Sequence, residues 1–95
     1  MNDTNMNGSD ETRRKRARFR SWHRGMREVD LILGTFADRN IMDLNATDLD
    51  QYERLLDVLD ADLLRWVTGE APVPQQYDTA LFRAIVAQTA STALD

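Results

Sequence analysis

The sequence predicts an all-α fold, a small bundle of four to five short helices. Three observations carry that expectation. Apolar residues recur at spacings of three, four and seven in successive segments; no segment alternates apolar and polar residues between turn signals; and Gly25, Gly69 and the Pro72–Pro74 stretch fall between the periodic segments. The 95 residues suit one domain. A domain of this size has a thin core and little room for a deep cofactor pocket, which favours recognition at the surface over buried chemistry.

Residues 1–11 are polar and Asn-rich with no apolar periodicity, so a disordered N-terminal tail is expected there, followed by a single domain over 12–90 and a frayed end over 91–95. Thr12 is placed to cap an Arg-rich helix reaching about His23, with Ala17, Phe19 and Trp22 interleaved. Beyond Gly25, the residues Met26, Val29, Leu33, Phe36 and Ala37 share one helical face, and the segment runs to about Arg39. Gly34 lies inside this pattern and weakens it by ~1 kcal/mol relative to Ala.

Thr47 is expected to cap a third helix with the stripe Leu49, Tyr52, Leu55, Leu56 and Leu59, and Asp48 and Asp50 suit its positive end. Asp60 is expected to cap a fourth helix carrying Leu63, Leu64, Trp66 and Val67, stopped by Gly69. Pro72 and Pro74 make the next stretch extended, and a last helix from about Asp78 turns Leu81, Phe82, Ile85 and Val86 inward.

The chain has no cysteine, which removes disulfides, thiolate metal sites and a thiol nucleophile. No apolar run approaches the ~20 residues of a membrane helix, and residues 1–12 have the character of neither a secretory nor a transit peptide. A soluble, cytoplasmic protein is expected. The net charge of −4 conceals a polarity: residues 13–27 hold eight of the twelve bases, while from residue 28 onward thirteen acids face four bases. That pattern suggests a basic docking segment on an acidic body.

The most informative stretch is Arg20 to Leu33, RSWHRGMREVDLIL. Gly25 separates two charged clusters at a helix–helix junction, where it can adopt angles closed to other residues and permit close approach. With Gly25 as N-cap, Glu28 would sit at the third helical position and fold back on free backbone amides, close to Arg24 at an exposed corner. On physical grounds alone a simple helix break with a capping glutamate explains the same residues.

The RGMRE stretch followed by VDLIL resembles the RGxxE motif of the SdhE family. Two further blocks match in order: Tyr52-Glu53-Arg54-Leu55-Leu56, and Asp60 to Val67 with Gly69, which resembles the family's D-x-D-L-x-x-W segment. The resemblance covers about residues 13–86. Val29 stands where leucine is common and His23 where some members carry arginine.

What the resemblance implies is specific. Such proteins are five-helix assembly factors that bind the flavoprotein subunit of succinate dehydrogenase, and in some bacteria that of fumarate reductase. They promote covalent attachment of FAD to a client histidine, so this chain would hold no cofactor and be no enzyme. The resemblance also implies a bacterial, cytoplasmic setting. The client-binding residues it points to are Arg24, Gly25, Met26, Arg27, Glu28 and Asp30, with Arg20 and His23 beside them. Arg24 offers a planar fork for a client carboxylate or phosphate, and Glu28 can answer a base.

Other constellations carry less. His23, beside Ser21 and Arg24, lacks an orienting acid and makes no triad. Trp22 suits either a client-facing anchor or the core, and Trp66 suits the core. Asp48, Asp50, Glu53 and Asp57 lack the loop glycine and terminal glutamate of a calcium site and read as a solvated face. There is no Gly-rich phosphate loop, hence no expected site of the chain's own for the FAD pyrophosphate, and the acid spacing and lack of cysteine suggest no metal site. The alternative function is a nucleic-acid-binding module using residues 13–20, RRKRARFR, against which the acidic remainder argues. The free protein is expected to be a monomer that neither binds nucleic acid nor inserts into membranes.

Overall fold

The computed structural model describes residues 2–94, with side chains over 10–90. Five helices follow one another: α1 Asn2–Trp22, α2 Arg27–Asn40, α3 Ala46–Leu56, α4 Asp60–Val67 and α5 Ala80–Leu94, with one 3₁₀ turn, Gln75–Tyr77, before the last. The expected all-α bundle is what the chain forms, and no strand occurs among the described residues. Helix α2 is the hub, packing against α1, α4 and α5, while α3 closes the bundle against α1 and α5.

Helix α1 is assigned from Asn2, where a tail over 1–11 was expected, and Thr12 lies inside it rather than capping it. Two acid-before-base pairs one turn apart, Asp10–Arg14 at 2.8 Å and Glu11–Lys15 at 3.7 Å, continue the helix toward the N-terminus. Its inner face is made of Arg14, Ala17 and Ser21, so small side chains let α1 lie close to its neighbours. Arg14 Nη1 donates to the carbonyl of Ile41 (2.7 Å) at the end of α2, one of the acceptors a helix end leaves free. At the other end of the chain α5 is assigned to Leu94; the expected frayed stretch 91–95 has no described side chains, and Asp95 lies outside the described residues.

The core is the set of stripes the sequence spacing marks: Val29, Leu33, Phe36 and Ala37 from α2, Leu49, Tyr52, Leu55 and Leu56 from α3, Leu63 and Val67 from α4, and Leu81, Phe82 and Ile85 from α5. Leu59 departs from this pattern. Helix α3 ends at Leu56, so Leu59 leaves the stripe and is 73% exposed. The caps also differ in detail. Asn45, not Thr47, caps α3 by accepting from the Asp48 amide (2.8 Å), and Asp60 is the first residue of α4 rather than its cap. Gly69 ends α4 as expected, in the left-handed region at φ 80°, with the Glu70 amide returning to the Arg65 carbonyl (2.8 Å). After the Pro72–Pro74 stretch, Tyr77 stacks on Trp66 with centroids 5.2 Å apart, which leaves Trp66 half-buried at the bundle's edge.

One polar network crosses the core. The Tyr52 hydroxyl lies 2.6 Å from Ser21 Oγ and 3.0 Å from the Leu33 carbonyl, and Ser21 Oγ is 2.7 Å from the Ala17 carbonyl. Two hydroxyl protons serve three contacts, tying α1, α2 and α3 at one point. Burial pushes the Tyr52 hydroxyl well above its usual pKa, so it remains a neutral donor. Tyr52→Phe leaves Ser21 its bond to Ala17 and is expected to lower the unfolding free energy by about 1 kcal/mol in urea denaturation; a loss near zero would mean the network adds no stability.

Candidate functional site

The joint between α1 and α2, residues 23–26, is held from outside itself. Asp60 Oδ1 accepts from Arg24 Nε (2.7 Å), and Asp60 Oδ2 accepts from the amides of Gly25 (2.6 Å) and Met26 (3.0 Å). The rest of the Arg24 guanidinium donates to the carbonyls of Leu56 and Val58, the latter at 2.7 Å, where α3 ends and free carbonyls collect. The Arg24 amide donates to Asp30 Oδ1 (2.6 Å). The Arg24 and Asp60 side chains are only 9% and 13% exposed.

Arg24, expected to offer a planar fork to a client, has every arm of that fork occupied within the chain, binding α1–α2 to α3–α4. The expected cap changes as well. Met26 is the N-cap of α2 with no side-chain bond, so Glu28 is the second helical residue and its carboxylate does not fold back. Gly25 is not in the left-handed region, and its need is space: a Cβ there would stand 3.2 Å from Asp60 Oδ2.

The eight residues singled out in the sequence thus gather at one corner but face different ways. Arg27 and Glu28 are exposed and make no side-chain hydrogen bond or ion pair among the described residues. Met26 is half-buried against the core and Asp30 turns inward to the joint. His23 is exposed, stacked on Phe19 at 3.8 Å, with Nδ1 2.7 Å from the Phe19 carbonyl and no carboxylate to orient it. Arg20 is partly exposed, bonded to Asp57 (2.8 Å) and the Leu56 carbonyl (3.2 Å). Between the end of α1 and the α3–α4 turn lies an open cleft of about 420 Å³ with Gly25 in its lining. No group of three or more metal-ligating side chains forms among the described residues.

Residues 15–89 match the family model described as the flavinator of succinate dehydrogenase. The chain belongs to that family. Its relatives include succinate dehydrogenase assembly factor 2-B, mitochondrial, of Drosophila melanogaster, 38% identical over 77 residues that make up 79% of this chain and 49% of that protein. Succinate dehydrogenase assembly factor 2, mitochondrial, of Dictyostelium discoideum is 37% identical over 75 residues, 79% of this chain and 53% of its own. FAD assembly factor SdhE of Acetobacter pasteurianus is 35% identical over 74 residues, 78% of this chain and 68% of its own. The chain therefore spans about half the length of the mitochondrial relatives.

In this member of the flavinator family the basic helix docks on the chain's own acidic body. Arg13 pairs with Asp50 and Glu53 of α3, and those bonds hold its guanidinium charged. Arg18 pairs with Asp38 of α2 at 2.7 Å, and Arg20 with Asp57. The acids read as a solvated face are thus largely the counterions of α1. Most of the charge a polyanion would need is already engaged, which weakens the nucleic-acid alternative.

The residues that sequence reasoning missed are Asp60 and, across the bundle, the pairing of Trp22 with Gly34. Trp22 lies flat on α2 where Gly34 has no side chain, with Nε1 donating to Asp38 Oδ1 (3.1 Å). It belongs to the packing between α1 and α2. Among the described residues no helix is long and apolar enough to cross a membrane.

Proposed function

We propose that this chain is a cytoplasmic assembly factor that binds the flavoprotein subunit of succinate dehydrogenase and promotes covalent attachment of FAD to it. The observation that carries this reading is the corner at residues 23–28. Its backbone is fixed by bonds to the largely buried Asp60 carboxylate, Gly25 keeps it low, and Glu28 stands beside it with its charge unanswered among the described residues. A preorganised surface of this kind binds at little ordering cost. The chain holds no FAD itself. It acts by favouring the client conformation in which flavin and acceptor histidine are aligned, a population shift that leaves the bond-forming chemistry with client and flavin.

Covalent flavin on the succinate dehydrogenase flavoprotein, read by in-gel fluorescence in cells lacking the chain, tests the proposal. Wild type should restore the signal, Gly25→Arg should not, and Glu28→Lys should restore it poorly. Glu28 is exposed and unpaired, so the last variant keeps the fold and isolates docking. Full fluorescence without the chain would sink the proposal.

A further inference from the structure

Of the large apolar side chains left exposed, two border the same cleft. Phe19 of α1 is 61% exposed and Leu59 of the α3–α4 turn is 73% exposed, and Gly25 shares the lining with them. Neither position is explained by the fold. Phe19 lies on the outer face of α1, away from Ala17 and Ser21, and Leu59 stands in the α3–α4 turn, where any polar residue would serve the chain better. The stack of His23 on Phe19 fixes the orientation of the ring, which lowers the ordering cost of a contact made there.

The side chains that line this pair's surroundings are mostly basic, each with its acid partner set at the edge: Glu11 on Lys15, Asp38 on Arg18 and Asp57 on Arg20. A second hollow lies on the other side of Phe19, and the walls of the two together carry Lys15, Arg18, Arg20 and Arg24 against a single carboxylate, Asp60. Asp60 and Arg24 satisfy each other in the floor. Arg20 donates to the Leu56 carbonyl, but its one carboxylate partner is Asp57, which is 75% exposed, so that ion pair is solvent-screened and readily exchanged for another carboxylate.

We propose that Phe19 and Leu59 are the apolar anchors of the docking surface, and that they clasp a segment of the flavoprotein carrying an apolar side chain beside a carboxylate. The apolar side chain enters between Phe19 and Leu59 over Gly25, and the carboxylate takes Arg20 from Asp57. A central apolar contact ringed by charges is the usual anatomy of a binding hot spot. The assignment rests on the flavoprotein being the client, and under it bulk at Gly25, which lines the cleft together with both anchors, is expected to obstruct docking.

The test is titration calorimetry of the full chain against purified succinate dehydrogenase flavoprotein. The double variant Phe19→Ser/Leu59→Ser should lose affinity roughly tenfold or more, and Arg20→Gln should reduce the dependence of affinity on salt. The control Met42→Ser removes an exposed apolar group outside the cleft and should bind as wild type. Wild-type affinity in the Phe19/Leu59 double variant, with Gly25→Arg failing to bind, would overturn the anchors and leave the client standing. A wild-type chain that binds no flavoprotein overturns the client, and this occupant with it. A single-stranded oligonucleotide bound through Phe19 and Leu59 in its place would assign the cleft to stacked bases instead.

Discussion

Asp60→Ala should lower the unfolding free energy by about 3–5 kcal/mol, the range for removing one partner of a buried ion pair. The Arg24 guanidinium is 9% exposed, and without Asp60 its charge faces only carbonyl groups. The amides of Gly25 and Met26 lose their acceptor at the same time. Asp60→Asn separates these effects. Its one remaining carbonyl oxygen can serve Arg24 Nε or the two amides, while its NH₂ group meets donors on the other side, so one half of the clamp is lost. Urea denaturation measures the stability, and amide exchange at Gly25 and Met26 reads the joint directly. Asp60→Ala within 1 kcal/mol of wild type, with those amides still protected, would show that the joint holds itself.

That expectation also marks where sequence reading stops. The stripes of α2 to α5 were legible because helical period is a local property: Val29, Leu33, Phe36 and Ala37 needed no knowledge of what they would touch. The corner at Arg24, Gly25 and Glu28 was located, through a motif in consecutive residues. The direction each side chain faces was not legible. Arg24 looked like a free fork because its partners, Leu56, Val58 and Asp60, are 32 to 36 residues away. Asp60 looked like a helix cap because aspartate before an apolar run is a capping signal, yet its carboxylate leaves its own helix for another chain segment. The same holds for Arg13, Arg18 and Arg20, whose counterions lie on other elements.

Gly34→Ala should destabilise the protein by about 1–3 kcal/mol through overpacking, even though alanine is the better helix former by ~1 kcal/mol. An added Cβ at this position would overlap the six-membered ring of Trp22, and moving the indole aside costs the packing on α2 and the bond from Nε1 to Asp38. What reads in the sequence as a flaw in α2 is the seat that lets α1 approach. A double-mutant cycle settles the cause. Trp22→Ala alone loses packing, but in the Trp22→Ala background Gly34→Ala should become neutral or stabilising, since only the propensity gain is left. Additive losses in the double variant would mean that the two residues do not share the site.

The bond from Asp60 to the Arg24–Gly25–Met26 joint has a consequence for how the protein is made. While the chain is being synthesised, residues 20–28 leave the ribosome as a complete motif with nothing to shape it. Arg24 is still without Leu56, Val58 and Asp60, and Arg13 without Asp50 and Glu53. Closing contacts of such long sequence separation comes late and all together. The joint therefore takes this form only once the chain has grown past α3 and supplied Asp60. Under the proposed function, competence to meet a client is in this way conditional on completed folding, with Asp60 acting as the latch that reports it.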